Sequence, residues 1–267
     1  MHPLSWVLPA PRVTTSSSHS TDDAAASEIA LGYLQIRTVP SGPWNDPTAP
    51  ELGEDEGRML AEQWGIHSRT DWLGMIDHLC TVRRRRHAWM LHLGVRNDLA
   101  TALGRVPTTR EWLDAIAADG GDEHDAHPFV VGIEHIEREV RKRVGKEVVT
   151  PDLFVRTLDA YALGQAVALT TWGVALGYAD VAEARLIIHR ISIKARPSFV
   201  SWADFGLSYL AGRIMHWSDG TLDDESFAKF GDGWSDFKEA TSTKRNGPWA
   251  MLPWPAPIEL RSAQRIG

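Results

Sequence analysis

The chain has 267 residues and a formal charge of −7 at neutral pH, and 43% of its residues are hydrophobic. This composition is that of a globular protein with a substantial core, and the acidic balance argues against nucleic-acid binding, which usually needs a net basic face. The single cysteine, Cys80, excludes an intramolecular disulfide and a cysteine-rich metal site, which fits a cytoplasmic protein.

The N-terminal residues carry no convincing targeting signal. The opening MHPLSWVLPAPRV lacks a basic region, and Pro3, Pro9 and Pro11 interrupt any apolar helix. The Ser- and Thr-rich continuation predicts a disordered leader over residues 1–24, followed by a helical domain over residues 25–247.

Helix-start signals recur through the first half of the predicted domain. Ser68 with Asp71 predicts a helix over residues 69–82, and Thr108 with Glu111 predicts a short helix that stops at two glycines, Gly120 and Gly121. These pairs have the spacing at which a side chain caps the first turn of a helix.

Four arginines, Arg83–Arg86, form the densest positive charge of the sequence. Consecutive helical residues point in every direction, so no single face collects this charge for a phosphate backbone. We predict that these side chains are solvated or ion-paired, with an anion or an acidic partner as the alternative contact. The overall negative charge disfavours nucleic-acid binding through them.

The segment DGGDEHDAH, residues 119–127, groups acidic side chains with two imidazoles. These are suitable ligands for a divalent cation, and Asp122, His124 and His127 would be the first candidates. The spacing fits neither a calcium loop nor a HExxH motif, so we predict a solvated, flexible loop and no bound metal.

Pro128 precedes the next predicted helix, FVVGIEHIEREVRKRV, which ends at Gly145. The charged string EHIEREVRKR within it is typical of an exposed helix face with ion pairs between successive turns. Glu134, Glu137 and Arg138 are therefore predicted to lie on the surface, with a site that includes His135 as the alternative.

The stretch ALGQAVALTTWGVALGYA, residues 162–179, carries no charge. Its polar residues and acidic flanks argue against a membrane span. It instead predicts a helix that is buried all round, beginning at Thr150–Pro151 and ending at Gly177. We expect Leu163, Leu169 and Trp172 to be buried, and we expect a face of small residues to admit a neighbouring helix, namely Ala160, Gly164 and Ala168.

Two further helices follow this stretch. Asp180 with Glu183 opens a helix through about Lys194, and Ser201 with Asp204 opens a helix over residues 202–217. No paired strands or βαβ rhythm are present, so the prediction is an all-α fold with one multi-helix domain. The proline-rich tail, residues 248–267, is predicted to be extended and to pack on the helices through Trp249 and Trp254.

Three ordered pieces resemble a known family: LAEQWGIHSRTDWLGMIDHL, YALGQAVALTTWGVALGYADVAEA and SWADFGLSYLAGRIMHW. The chain resembles the bacterial family catalogued as domain of unknown function 1266 over residues 58–255, most strongly over 158–217. The resemblance implies a bacterial cytosolic helical domain and supplies no reaction. This sequence departs from the family at Ala162 and Gln165, where the resemblance suggests Asp and Arg.

The candidate binding residues are Arg213, Tyr209 and Trp202, which lie in the piece with the strongest resemblance. An arginine among aromatic side chains can stack and still present its fork to a partner's carboxylate, although it can also serve as a structural tie.

Catalytic and cofactor-binding motifs are absent, so the sequence favours a non-catalytic protein-interaction module with no cofactor, whose partner is another protein rather than a membrane or a nucleic acid. The alternative is a helical enzyme with an unrecognised site near Arg213 and the acidic segment 119–127.

Overall fold

The computed structural model describes residues 13–39, 41–81, 87–220, 229 and 232–255, and no β-strand occurs within these ranges. The predicted all-α class is confirmed. The helices of the first half are α1 (Ala24–Ile29), α2 (Tyr33–Thr38), α3 (Glu54–Trp64), α4 (Arg69–Thr81), α5 (His87–Leu103), α6 (Thr109–Ala118) and α7 (Glu123–Val144). Those of the second half are α8 (Asp159–Ala175), α9 (Val181–Ala195), α10 (Trp202–Trp217), α11 (Asp232–Ala240) and α12 (Pro248–Met251). Arg83–Arg86 lie outside the described residues.

Helix α8 forms the centre of the fold. It packs against α2, α4, α9 and α10, and every residue from Ala160 to Gly173 is buried. The predicted burial of Leu163, Leu169 and Trp172 is confirmed. None of the described helices is long and apolar enough to cross a membrane.

At the predicted small-residue face of α8, both α10 and the chain before α2 approach closely. A Cβ placed on Gly164 would lie 2.8 Å from the Cε2 atom of Tyr209 and 3.1 Å from the carbonyl oxygen of Leu31. Contacts this short force a neighbour to move, so only glycine fits at this crossing. The sequence predicted this close approach correctly.

The predicted start of α8 at Thr150 is wrong, because the helix begins at Asp159. The segment before α8 is not helical, because side chains that are distant in sequence hydrogen-bond to its backbone. Glu137 accepts a hydrogen bond from the backbone N–H of Val155 at 2.8 Å, and the Ser208 hydroxyl donates to the Thr157 carbonyl at 2.6 Å. These long-range bonds satisfy backbone groups that a longer helix would otherwise pair internally.

The end of α8 is close to its prediction. The last helical residue is Ala175, and Gly177 follows with φ of +73°, a left-handed conformation that favours glycine. The N–H of Tyr178 donates to the Gly173 carbonyl at 2.8 Å, which closes the last turn.

The predicted N-caps of α6, α9 and α10 are confirmed. Thr108, Asp180 and Ser201 each accept a hydrogen bond from the backbone N–H three residues later. In α6 the Glu111 carboxylate also accepts from the backbone N–H of Thr108 at 2.8 Å and from both terminal nitrogens of Arg105. Two orphan N–H groups of the first turn are thereby satisfied.

We expect the stabilising effect of Glu111 to disappear in acid. Hydrogen bonds from Arg105 and Thr108 lower the pKa of Glu111 from 4.5 to about 2. Because the folded pKa lies below the ordinary value, the stabilisation is complete above that ordinary value and is lost as the pH falls toward 2. Denaturant titrations should show Glu111→Gln to be less stable than the parent near neutral pH and equally stable near pH 2. A difference that does not change with pH would contradict this role.

The predicted loop at residues 119–127 is wrong from Glu123 onward, because α7 begins there. Asp122 caps the helix by accepting from the N–H groups of His124 and Asp125 at 2.7 and 3.1 Å. Pro128 lies inside the helix rather than before it. Its missing N–H removes one hydrogen bond, and the buried apolar residues that follow in α7 outweigh that cost.

The predicted exposed face of α7 is wrong at Glu137. This carboxylate is only 6% exposed and pairs with the buried guanidinium of Arg96 on α5, with N–O distances of 2.5 and 3.1 Å. Arg96 also lies over the rings of Trp112 and Phe154, at 4.3 and 5.0 Å from their centroids. The predicted ion pairs between turns do form at Glu139, which contacts residues 142 and 143.

Part of the predicted leader is tied to the domain. The Asn45 side chain donates to the backbone carbonyls of Ser16 and His19 at 3.0 and 2.9 Å, and the N–H of Trp44 donates to the Thr14 carbonyl. These hydrogen bonds attach residues 14–19 to the turn around residue 45. Residues before position 25, in the predicted leader, therefore contact the helical domain. Residues 1–12 lie outside the described residues.

The C-terminal tail begins with a helix rather than an extended path. Pro248 occupies the first turn of α12, where its fixed φ suits a helix start. Trp249 donates from Nε1 to the Ala30 carbonyl at 2.8 Å, and its ring stacks on Trp202 at 5.4 Å. Trp254 packs against the same Trp202 ring. The tail therefore lies on the helices through the two predicted tryptophans, and residues 256–267 lie outside the described residues.

Candidate functional site

Arg213, the main candidate from the sequence, lies half-buried on α10. Its Nη1 atom is 3.5 Å from the hydroxyl of Thr38 at the end of α2, which is the outer limit of a hydrogen bond. Among the ion pairs of the described residues, none includes Arg213. Since a guanidinium carries five N–H donors, most of them remain available for another group.

Tyr209 and Trp202 lie in the core and not beside a surface site. Tyr209 is fully buried, its hydroxyl donates to Oε1 of Gln35 at 2.9 Å, and burial raises its pKa well above the usual value. Trp202 is also buried and donates from Nε1 to the Leu252 carbonyl at 2.9 Å. Both polar groups are therefore satisfied within the protein, and the structure does not bring these rings to the surface with Arg213.

The aromatic residue that reaches the surface near Arg213 is Trp217. It lies four residues later on α10, so the two side chains share one face of the helix. Trp217 is 57% exposed, and its Nε1 donates to the hydroxyl of Tyr161 at 3.0 Å. The sequence analysis does not include Trp217 among the binding candidates. Two features of the sequence could have indicated it, namely its spacing of four residues from Arg213 and its position in the last turn of the helix.

The acidic segment 119–127 lies far from Arg213. A Cβ placed on Gly233 of α11 would lie 3.5 Å from Nη1 of Arg213, and the next residue, Trp234, lies 5.4 Å from Arg143 in the last turn of α7. The acidic segment runs into the first turn of the same helix. A helix of 22 residues is roughly 30 Å long. The acidic segment is near one end of α7 and Arg213 is near the other, so the alternative enzyme site is not assembled.

Other reactive groups of the described chain offer no assembled chemistry. Burial raises the pKa of Cys80 to about 11, which keeps its thiol protonated at neutral pH. Within the described ranges, no group of three or more His, Cys, Asp or Glu side chains is arranged to hold a metal ion.

A polar cluster that the sequence did not predict joins α1 to α9. Oε1 of Glu28 accepts from Arg196 at 2.6 Å and lies 2.7 Å from Nδ1 of His189. A carboxylate that orients an imidazole is an arrangement used in acid–base catalysis. The adjoining cavity measures only about 50 Å³, which holds a few water molecules at most. The cluster therefore fastens the two helices and offers no room for an organic substrate.

The comparisons place most of the chain in one family. Residues 59–254 match the family model described as protein of unknown function (DUF1266). The chain belongs to the DUF1266 family. The matched region includes Arg213 and Trp217, whereas Glu28 lies outside it. No curated protein and no solved structure matches the chain.

The two positions at which the resemblance suggests other residues lie inside the core of this DUF1266 protein. Ala162 and Gln165 are both buried on α8. Oε1 of Gln165 has no hydrogen-bond partner, which carries a cost of desolvation at the centre of the fold. Neither side chain is exposed to a partner or to solvent.

Proposed function

We propose that this DUF1266 protein is a non-catalytic protein-interaction module of the bacterial cytoplasm, and that it contacts its partner through Arg213 and Trp217. One observation carries the proposal: two side chains suited to binding lie together on the surface of α10. Arg213 forms no ion pair within the described residues, and Trp217 is 57% exposed. Arginine and tryptophan are enriched among the residues that dominate the binding energy of protein interfaces.

The two side chains suit a partner that presents a carboxylate. The guanidinium of Arg213 can form two parallel hydrogen bonds to such a group, with the aromatic surface of Trp217 one turn away. The hydrogen bond from Trp217 to Tyr161 holds the indole in place before any partner arrives. An ordered anchor loses less conformational entropy on binding, which supports a role in recognition.

The alternative, an enzyme with a site near Arg213 and the acidic segment, receives no support from the geometry. The acidic segment lies at the N-terminal end of α7, whereas Arg213 lies on α10 beside α11, which contacts the C-terminal end of α7. A regulatory, adaptor or immunity-type role is consistent with a surface that binds without reacting.

We expect Arg213→Lys and Trp217→Ala to abolish capture of the partner while leaving the fold intact. The lysine retains the charge and loses the fork, and loss of a tryptophan at the centre of an interface typically costs about 2 kcal/mol or more. Tagged protein expressed in the native cell would be purified with its partners, which would be quantified by mass spectrometry. The captured partner would then be titrated against the purified variants.

Arg58→Lys is the matched control, because Arg58 is exposed on α3 and forms only a surface ion pair with Asp55. We expect this control to retain the partner and every variant to remain folded, with Arg213→Lys and Arg58→Lys at the parent melting temperature and Trp217→Ala lower by only a few degrees. Equal capture by Arg213→Lys, Trp217→Ala and the control would contradict the proposal. Loss of folding in Arg213→Lys would instead identify Arg213 as a brace between α10 and α2.

A further inference from the structure

Helix α9 has one face that is open to solvent. Its buried residues, such as Ala184 and Ile188, lie on the side that packs against α8 and α1. On the other side Leu186 is 62% exposed and Ile193 is 40% exposed. These two residues are seven positions apart, so they lie on one stripe with about 10 Å of helix between them. Ala182, also exposed, extends the stripe by one turn. Apolar residues at this spacing are the anchors by which helices recognise one another.

Cations lie on both sides of this apolar stripe. Because successive helical residues are rotated by about 100°, Arg185 lies on one side of the stripe. Arg190 and Lys194 lie on the other side, and all three side chains are exposed. The whole chain carries a formal charge of −7, so this face is a local reversal of the overall charge. It therefore favours a partner with negative charge.

The charge of these cations is available to another molecule. Arg190 forms neither a hydrogen bond nor an ion pair with any described residue. Nζ of Lys194 is 3.5 Å from the Cys80 carbonyl, and Nη2 of Arg185 is 3.5 Å from Nδ1 of His19. Both distances are at the outer limit of a hydrogen bond, so neither contact neutralises the charge.

Helix α4 lies alongside α9 and broadens the surface. Arg69 at the start of α4 binds Glu183 in the first turn of α9, with N–O distances of 3.0 and 2.7 Å, so that carboxylate is already neutralised. Because Lys194 approaches Cys80 near the other end of both helices, the two helices run side by side. Leu73, one turn after Arg69, adds a further exposed apolar side chain from α4.

The remaining charge of this surface is positive. Asp77, which is exposed one turn after Leu73, offsets one of the three cations of α9. A second copy of the chain that docked through the same face would bring like charges together, which is repulsive. An anionic membrane would gain little from a stripe with two large apolar side chains, since stable attachment needs a larger apolar area.

We propose that the exposed face of α9, with Leu73 of α4 at its edge, docks an acidic amphipathic helix of another protein. The apolar side of that helix would cover Leu186 and Ile193, and carboxylates along its two edges would meet the flanking cations. This surface lies on other elements than Arg213 and Trp217, so the inference does not depend on the function proposed for those residues.

Fluorescence anisotropy of the full chain with a labelled peptide tests this surface. The peptide has about 20 residues, which is long enough for an isolated helix, with leucine along one face and glutamate on both edges. We expect saturable binding with a dissociation constant on the order of 100 μM or tighter at low ionic strength, weakening as salt is added. The same peptide with glutamine in place of glutamate should bind about tenfold more weakly or less. No saturable binding of the acidic peptide, or equal binding of the glutamine peptide, would overturn the proposal.

Two matched pairs of variants locate the binding on α9. Arg190→Gln and Leu186→Gln should each weaken binding of the acidic peptide by about fivefold or more, because one removes a cation and the other an apolar anchor. The controls are Arg110→Gln on α6 and Leu91→Gln on α5, which change exposed residues elsewhere and should bind as the parent does. Circular dichroism verifies that each variant is folded, which is expected because all four side chains are exposed. Parent-like binding by both α9 variants, or equal losses in the controls, would refute the docking surface.

Two further measurements address the other occupants. The protein should remain in the supernatant when vesicles that contain phosphatidylglycerol are sedimented, and its mass in solution should be the same for the parent and for Leu186→Gln. Sedimentation with vesicles that is lost in Arg190→Gln, without binding of the peptide, would assign the face to a lipid surface. A parent dimer that Leu186→Gln dissociates would assign it to a second copy. Either result would overturn the proposal of an acidic helix.

Discussion

Replacing Arg96 by methionine is expected to lower the free energy of unfolding by about 3–5 kcal/mol, because it leaves a buried carboxylate without its counterion. Arg96 is 1% exposed and pairs with Glu137 through two N–O contacts. The variant fills similar volume and keeps an apolar contact with Trp112 and Phe154, so the lost charge dominates the effect. Denaturant titration with a two-state fit measures the change.

A double-mutant cycle separates the ion pair from packing. Glu137→Gln keeps an acceptor for the N–H of Val155 and removes the charge. The double variant Arg96→Met/Glu137→Gln has no unpaired charge, so its cost should be smaller than the sum of the two single costs. Arg58→Met is the control at an exposed ion pair and should cost less than about 1 kcal/mol. Additive single costs would show that the two residues act independently.

Replacing Trp172 by alanine is expected to cost about 3–5 kcal/mol, the usual range for removal of a large buried aromatic side chain. Trp172 is fully buried on the central helix, and its ring lies 6.5 Å from that of Trp64 in an edge-to-face contact. Its Nε1 has no hydrogen-bond partner, so the cost comes from packing and cavity formation. Thermal and denaturant unfolding of the purified variant would measure the loss.

Trp217→Ala is the matched control for this substitution. It removes the same side chain from the surface end of α10, where the indole is 57% exposed. We expect a change of roughly 1 kcal/mol, since it loses one hydrogen bond to Tyr161 and little buried area. Equal losses for the two tryptophans would show that α8 is not the centre of the core. The same Trp217→Ala protein serves the partner-capture experiment, so its stability is needed there as well.

Local sequence was sufficient to predict helix ends that are determined by neighbouring residues. Thr108, Asp180 and Ser201 each cap a backbone N–H three residues away, and this interaction needs no other part of the chain. The same holds for Gly177, whose left-handed φ ends α8. The burial of α8 was also predictable, because a long run without charge cannot face water on any side.

The start of α8 and the surroundings of Glu137 depended on residues distant in sequence. Thr150–Pro151 is a good helix start by local rules, yet Ser208 and Glu137 bind the backbone that follows and keep it out of the helix. Glu137 in turn pairs with Arg96, which is 41 residues away. Charge patterning along α7 alone could not distinguish this buried carboxylate from its exposed neighbours.

The candidate site illustrates the same division. The sequence by itself determined that α10 carries Arg213 among aromatic side chains, because the order of residues along a helix fixes which of them share a face. Only the tertiary structure decided that Tyr209 points into the core to meet Gln35 and that Trp217 stands at the surface. The physical reason is that helical periodicity places Tyr209, Arg213 and Trp217 on one face of α10, whereas the burial of each turn along that face is set by the elements that pack against it.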